Sequence, residues 1–142
     1  MGPIDDMPTL PDHWAVIEDA TSAYPFRLAT SPARNYLNST FTETKTSRER
    51  EGEPTVLIHP DDAQTHTIKD GERVTLTNDR GAVTLKAKYF DGIKRGVLVA
   101  ESIWPNTAYV DGKGINTLTG ADSPAPFGGA AFHDNRVAIV PV

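Results

Sequence analysis

Apolar and polar residues alternate with a period of two along much of this chain, the pattern of strands that bury one face. Phe26-Arg27-Leu28-Ala29-Thr30 is the first such segment. Thr55-Val56-Leu57-Ile58 is a short apolar run that fits a buried strand. The clearest pair is Glu72 to Thr77 and Ala82 to Phe90. Val74 and Leu76 alternate with Arg73, Thr75 and Thr77; Val83, Leu85, Ala87 and Tyr89 alternate with Thr84, Lys86 and Lys88. The connection Asn78-Asp79-Arg80-Gly81 supplies residues that tolerate turn geometry, so the pair reads as a hairpin. Val97 to Ala100 and Arg136 to Val140 complete the strands. His59-Pro60-Asp61-Asp62-Ala63 reads as a helix start, because proline suits the first helical position and early acids favour the N-terminal dipole. Asp70-Gly71 ends that helix soon after.

Short strands, one or two short helices and long polar loops predict a mainly β fold, a small β-barrel. Residues 1–23 carry Pro3, Pro8 and Pro11 and little periodicity. They read as a linker or N-terminal arm, which Trp14, Val16 and Ile17 could dock. The barrel domain then occupies residues 24–142. Residues 31–53 are polar and read as a long loop or extended hairpin. Residues 102–135 hold five of the eleven glycines together with Pro105, Pro124 and Pro126. A structureless loop of that length is usually functional or disordered. Its composition predicts poor order over 102–130 unless a ligand or neighbouring domain supplies contacts.

The chain has 142 residues, the size of one domain with a real core. The absence of cysteine excludes disulfides, thiolate metal sites, iron–sulfur ligation and a cysteine nucleophile. Fourteen Lys and Arg against nineteen Asp and Glu give a net charge of −5, which lacks the footprint of a general nucleic-acid binder. No stretch approaches the roughly 20 apolar residues of a membrane helix. The N-terminus lacks the basic and apolar regions of a secretory signal, so the expected location is the cytoplasm.

Three segments could carry chemistry. The first, Thr30-Ser31-Pro32-Ala33-Arg34-Asn35-Tyr36-Leu37-Asn38-Ser39-Thr40-Phe41, is dense in hydroxyl and amide groups and has one guanidinium. Such groups bond phosphates and heterocyclic edges; a solvated hairpin loop has the same composition. The second, Gly112-Lys113-Gly114-Ile115-Asn116-Thr117-Leu118-Thr119-Gly120, permits close backbone approach but matches no phosphate-loop or dinucleotide fingerprint. In the third, Gly128-Gly129-Ala130-Ala131-Phe132-His133-Asp134, the His-Asp pair has no nucleophile motif beside it. The four histidines show no metal-ligand spacing.

Taken in order over residues 24–142, these segments resemble something specific. Leu28-Ala29-Thr30 is followed by Asn38-Ser39, then by Ile58-His59-Pro60-Asp61-Asp62-Ala63 and Asp70-Gly71-Glu72-Arg73-Val74. Asn78-Asp79-Arg80-Gly81, Asn116-Thr117-Leu118-Thr119, Gly128-Gly129, Phe132-His133-Asp134 and Arg136-Val137 complete the series. The series resembles the C-terminal dinucleotide-binding domain of the molybdopterin oxidoreductases, the superfamily of formate dehydrogenases, dimethyl sulfoxide reductases and dissimilatory nitrate reductases. The resemblance implies a double-psi β-barrel, one end of which faces a bis(molybdopterin guanine dinucleotide) cofactor with molybdenum or tungsten. It implies cofactor contacts from Ser31, Arg34, Asn38, Ser39, Thr40, Asn116, Thr119 and His133. The metal's protein ligand then lies in another domain, and the expected partners are the remaining domains or the catalytic subunit. No catalysis is expected of the isolated chain. The alternatives are a stand-alone small subunit of such an enzyme and a double-psi barrel serving as a protein-interaction module. A self-processing decarboxylase barrel is discounted, since no glycine here precedes a serine.

Overall fold

A computed structural model of the chain describes residues 18–121, 132–133 and 135–142. The expected docking of Trp14, Val16 and Ile17, the Gly128-Gly129 pair and Asp134 lie outside the described residues. Six strands form: β1 (Phe26–Ser31), β2 (Thr55–Ile58), β3 (Arg73–Asn78), β4 (Gly81–Tyr89), β5 (Val97–Glu101) and β6 (Asn135–Pro141). They close into a barrel in the order β1-β5-β2-β4-β3-β6. Closure leaves no unpaired strand edge. β1 pairs parallel with β5, and β2 parallel with β4, while the other four pairings are antiparallel. This is the connectivity of a double-psi barrel.

Period-two alternation fills the interior. Phe26 and Leu28, Val74 and Leu76, Val83, Leu85 and Ala87, Leu98 and Ala100, and Val137 and Ile139 are all buried. Val56, Leu57 and Ile58 are buried in succession, so β2 is covered on both faces, as its unbroken apolar run requires. On the other face of the hairpin the hydroxyls of Thr75 and Thr84 meet at 3.2 Å.

Strand direction defines two ends. β1, β3 and β5 run one way and β2, β4 and β6 the other. One end, here the closed end, receives the short turns before β3 and β5 and the helix α2. The other, the open end, receives the two longest connections, β1 to β2 and β5 to β6, and the tight turn of the β3–β4 hairpin.

At the closed end α2 spans Pro60–Thr65. His59 caps it, with Nδ1 accepting from the Asp61 amide at 3.2 Å. Ala63 of α2 and Ile68 just after it are buried against the barrel. The buried Asp62 carboxylate accepts from Arg95 Nε at 3.0 Å and from the Gly96 amide at 2.7 Å, which ties α2 to the turn before β5.

Two expectations change at the open end. Within residues 31–53, read as loop or hairpin, a helix α1 forms over Lys45–Glu51. It buries no residue, so it carries no apolar stripe for periodicity to detect. Residues 102–121 are not a structureless loop. They hold short 3-10 turns at Asn106–Ala108 and Ile115–Leu118, and they bury Trp104, Tyr109, Ile115 and Leu118. Four large apolar side chains anchor the segment to the barrel despite its glycines.

Candidate functional site at the open end of the barrel

The carboxyl ends of β1, β3 and β5 and the amino end of β6 share the open end, so the loops that hold every candidate residue meet at one rim. They form two groups on different sides of it. β1 and β5 are neighbours; β6 and β2 separate them from the β3–β4 hairpin.

On the β1–β5 side, Thr30, Ser31, Pro32, Asn38, Ser102, Ile103, Phe132 and His133 line a cleft of about 270 Å³. Ser31, Asn38 and His133 are therefore brought together from three distant segments. The Ser31 carbonyl accepts from the Ser102 amide at 2.8 Å. Ser102 Oγ lies 3.4 Å from the Asn38 carbonyl. The Phe132 and His133 rings lie 4.2 Å apart. Arg34, Ser39 and Thr40 are exposed on the same loop and do not line the cleft. Thr40 closes a tight turn with Leu37, donating its amide to the Leu37 carbonyl at 2.8 Å. The Ser39 carbonyl accepts from Thr42 Oγ1 at 2.8 Å.

On the hairpin side, Asn116 is exposed and Thr119 half-buried. Thr119 Oγ1 donates to the Asn116 carbonyl at 2.9 Å. The Ile115–Leu118 turn lies on the hairpin tip. A Cβ at Gly81 would come within 2.7 Å of Thr117 Cγ2, so any larger residue would force the Thr117 side chain to shift. Asn78 Nδ2 donates to the Leu118 carbonyl at 2.8 Å and fixes the turn from below. Asn116 and Thr119 do not reach the Ser31 cleft; the two groups flank one rim.

Backbone strain marks this rim. Four non-glycine residues among those described have positive φ, and three are here: Asn38 (52°), Phe41 (71°) and Ser102 (70°). Asparagine enters this region readily; phenylalanine and a buried serine do not. Such outliers concentrate where a side chain is held for a purpose. Ser102 carries no signal in the sequence, because nothing in its residue type announces a left-handed backbone. Ile103 and Phe132 were missed for another reason: a lone apolar residue in a loop is ordinary.

Below the rim, Tyr36 and Trp104 meet edge-to-face at 4.9 Å. Burial pushes the Tyr36 phenol above its usual range, and its hydroxyl has no hydrogen-bond partner among the described residues. Tyr109 is pushed up to about 12 by burial, partly offset by a backbone hydrogen bond with Ile115. Among the described residues no cluster of His, Asp or Glu could hold a metal ion, and no helix is long and apolar enough to cross a membrane.

Comparison with known proteins agrees with this geometry. The family model of the molydopterin dinucleotide binding domain matches residues 26–136. Respiratory nitrate reductase subunit alpha of Haloferax mediterranei is 31% identical over 110 residues, covering 77% of this chain and 11% of that protein. Dimethyl sulfoxide/trimethylamine N-oxide reductase of Rhodobacter capsulatus is 34% identical over 106 residues, covering 70% of this chain and 13% of that protein. The chain spans 19% or less of the length of the curated relatives it matches first. Acetylene hydratase from Pelobacter acetylenicus shares the fold, with a TM-score of 0.68 at 17% identity over 82% of this chain and 18% of that one. The barrel, the rim that gathers the loops and the match over residues 26–136 lead to one conclusion: this chain belongs to the molydopterin dinucleotide binding domain family.

Proposed function

We propose that the open rim holds one face of a bis(molybdopterin guanine dinucleotide) cofactor, with molybdenum or tungsten, jointly with domains outside this chain. The observation that carries the reading is the cleft that joins Ser31, Asn38 and His133 beside the strained Ser102. Its donor set fits a pterin. Hydroxyl, amide and imidazole groups match a heterocycle that both donates and accepts, while Ile103 and Phe132 offer apolar walls to a flat ring. The exposed Arg34 suits an anionic phosphate through its planar fork. Asn116 and Thr119 serve the other side of the same rim.

When bound, the cofactor supplies the metal and its redox chemistry. This chain supplies binding and orientation. Ser31 and Asn38 offer polar edges: the Ser31 carbonyl is held by the Ser102 amide at 2.8 Å, and the Asn38 carbonyl lies 3.4 Å from Ser102 Oγ. Ser39 and Thr40 extend the donor surface outward. His133 places an imidazole at the cleft wall beside Phe132. The parent polypeptide is a molybdenum or tungsten oxidoreductase, and the chain alone is not catalytic.

The test is cofactor content. In an oxidoreductase polypeptide carrying this domain, Asn38→Gly, which keeps the left-handed backbone, with Ser31→Ala should release about tenfold less pterin on denaturation. The expectation rests on the loss of two hydrogen bonds at about 0.5–1.5 kcal/mol each. Thermal unfolding of the domain should move little. Unchanged pterin content in the double variant would refute the assignment.

A further inference from the structure

A closed ring of polar contacts on the hairpin side of the rim joins the hairpin tip, the Ile115–Leu118 turn and the start of β6, and Glu18 of the N-terminal arm completes it. One carboxylate oxygen of Glu18 pairs with Arg80 Nη2. The other accepts from the Arg136 amide at 2.6 Å, and the Glu18 carbonyl accepts from Arg136 Nε at 2.9 Å. Arg80 Nη1 reaches the Leu118 carbonyl at 3.2 Å. Asn78 Nδ2 donates to that same carbonyl and, at 3.2 Å, to the Arg136 carbonyl. Asn78 Oδ1 holds the Arg80 amide at 3.0 Å. The path runs from Glu18 through Arg80, Leu118, Asn78 and Arg136 back to Glu18.

This is not an ordinary surface ion pair. The Glu18 and Arg80 side chains are only 32% and 33% exposed, against 63% and 88% for Glu49 and Lys45 on α1. Exposed pairs contribute little because water screens them and flexible side chains must be ordered. Here the guanidinium is already fixed at its other end by a backbone carbonyl, and Gly120 leaves room for it: a Cβ there would lie 3.3 Å from Arg80 Nη2. The Leu118 carbonyl belongs to the turn that carries Asn116 and leads into Thr119.

We infer that Glu18 is a positioning residue: through Arg80 it fixes the Leu118 carbonyl, and with it the Asn116–Thr119 segment of the cofactor face. Glu18, at the end of the arm, is then part of the site. The inference rests on the proposed cofactor face only for its consequence; the control of the loop by Glu18 stands or falls separately.

The experiment uses the full chain and amide hydrogen exchange. Thr117 and Thr119 donate their amides to the Gly114 and Asn116 carbonyls, so their protection reports whether the turn is held. Glu18→Ala should speed their exchange about tenfold and leave Val83 and Leu85 unchanged, the signature of local opening. Arg80→Met should do the same. The double variant should be no faster than Arg80→Met alone, since the effect passes through Arg80. Unchanged exchange at Thr117 and Thr119, equal acceleration at Val83, or additive effects would each overturn the inference. In the assembled oxidoreductase, Glu18→Ala should lower pterin content along with Asn116→Ala. If Asn116→Ala leaves pterin content intact while Glu18→Ala still loosens the turn, the cofactor reading fails and the positioning role survives.

Discussion

The two ends of the barrel solve the same backbone problem with different residues. At the closed end two turns need a left-handed residue, and glycine supplies it: Gly71 at φ 78° and Gly96 at φ 76°. Thr67, at φ 57°, is the exception there. At the open end the rim itself places side chains in this region, at Asn38, Phe41 and Ser102. Among the described residues, the positive-φ glycines on that side are Gly52 after α1 and Gly112. A turn that only reverses the chain is served by glycine at little steric cost. A position that keeps a side chain despite the strain needs that side chain. On the proposed reading, the contrast separates an end built for closure from an end built for contact.

The strongest way to break this comparison is to ask whether the ends differ at all in stability once the wall between them is weakened. Leu76 is fully buried in β3. Leu76→Ala should cost about 2–5 kcal/mol, the range for emptying a packed core site. Denaturant unfolding should record it, and protection should fall at both ends together. Loss confined to the open end would mean that the rim is not coupled to the barrel and that the comparison concerns two separate units.

The closed end and the barrel wall were legible in the sequence, and much of the rim was not. Every strand but β2 was visible because one face is buried and the other is not, as with Val74 and Leu76 inside and Thr75 and Thr77 outside; β2, buried on both faces, showed as an unbroken apolar run. Pro60 announced α2 by its place at the first helical position. Strand order was not visible, since alternation states which face is buried and not which neighbour is paired. α1 escaped because Lys45–Glu51 rests on no core. Trp104, Tyr109, Ile115 and Leu118 are spaced without a period, so a packed segment read as an open loop. The candidate site was half legible. Ser31, Asn38 and His133 were found by donor chemistry and family resemblance, and the cleft joins them. Ser102 and the Glu18–Arg80 link were not found, because both depend on contacts between segments far apart in the chain.

A smaller effect should open the rim alone. Burial raises Tyr109 from the ordinary 10.0 to about 12. Below pH 10 the phenol is neutral in both folded and unfolded chains, and its contribution to stability is complete. Between about 10 and 12 the unfolded chain loses the proton while the folded chain keeps it, so stability falls as pH rises through that window. In an absorbance titration at the phenolate band, the wild-type chain should show a late step near pH 12 that Tyr109→Phe removes. Titration of every tyrosine together near pH 10 would show that the segment around Tyr109 is open and that its burial is not maintained.

The smallest effect bears most directly on why the two ends differ. Ser102 holds φ 70° while buried, and its Oγ contact with the Asn38 carbonyl is long, at 3.4 Å. A non-glycine residue in the left-handed region costs about 1–2 kcal/mol. Ser102→Gly removes that strain and sacrifices only a weak contact, but it also frees the unfolded chain. The net should be a stabilisation of about 0.5–1 kcal/mol. The amide bond from Ser102 to Ser31 is retained, so the loops should stay in place. If the serine is kept for closure, as a glycine would be, the variant should be more stable and hold cofactor as well as before. If it is kept for contact, the variant should be more stable and hold cofactor less well. Thermal unfolding of the chain and pterin content of the assembled oxidoreductase separate these outcomes. The second is expected, because strain that serves no contact would be relieved by glycine, as it is at Gly71 and Gly96. A Ser102→Gly variant that gains stability without losing pterin would remove the functional reading of the strained rim.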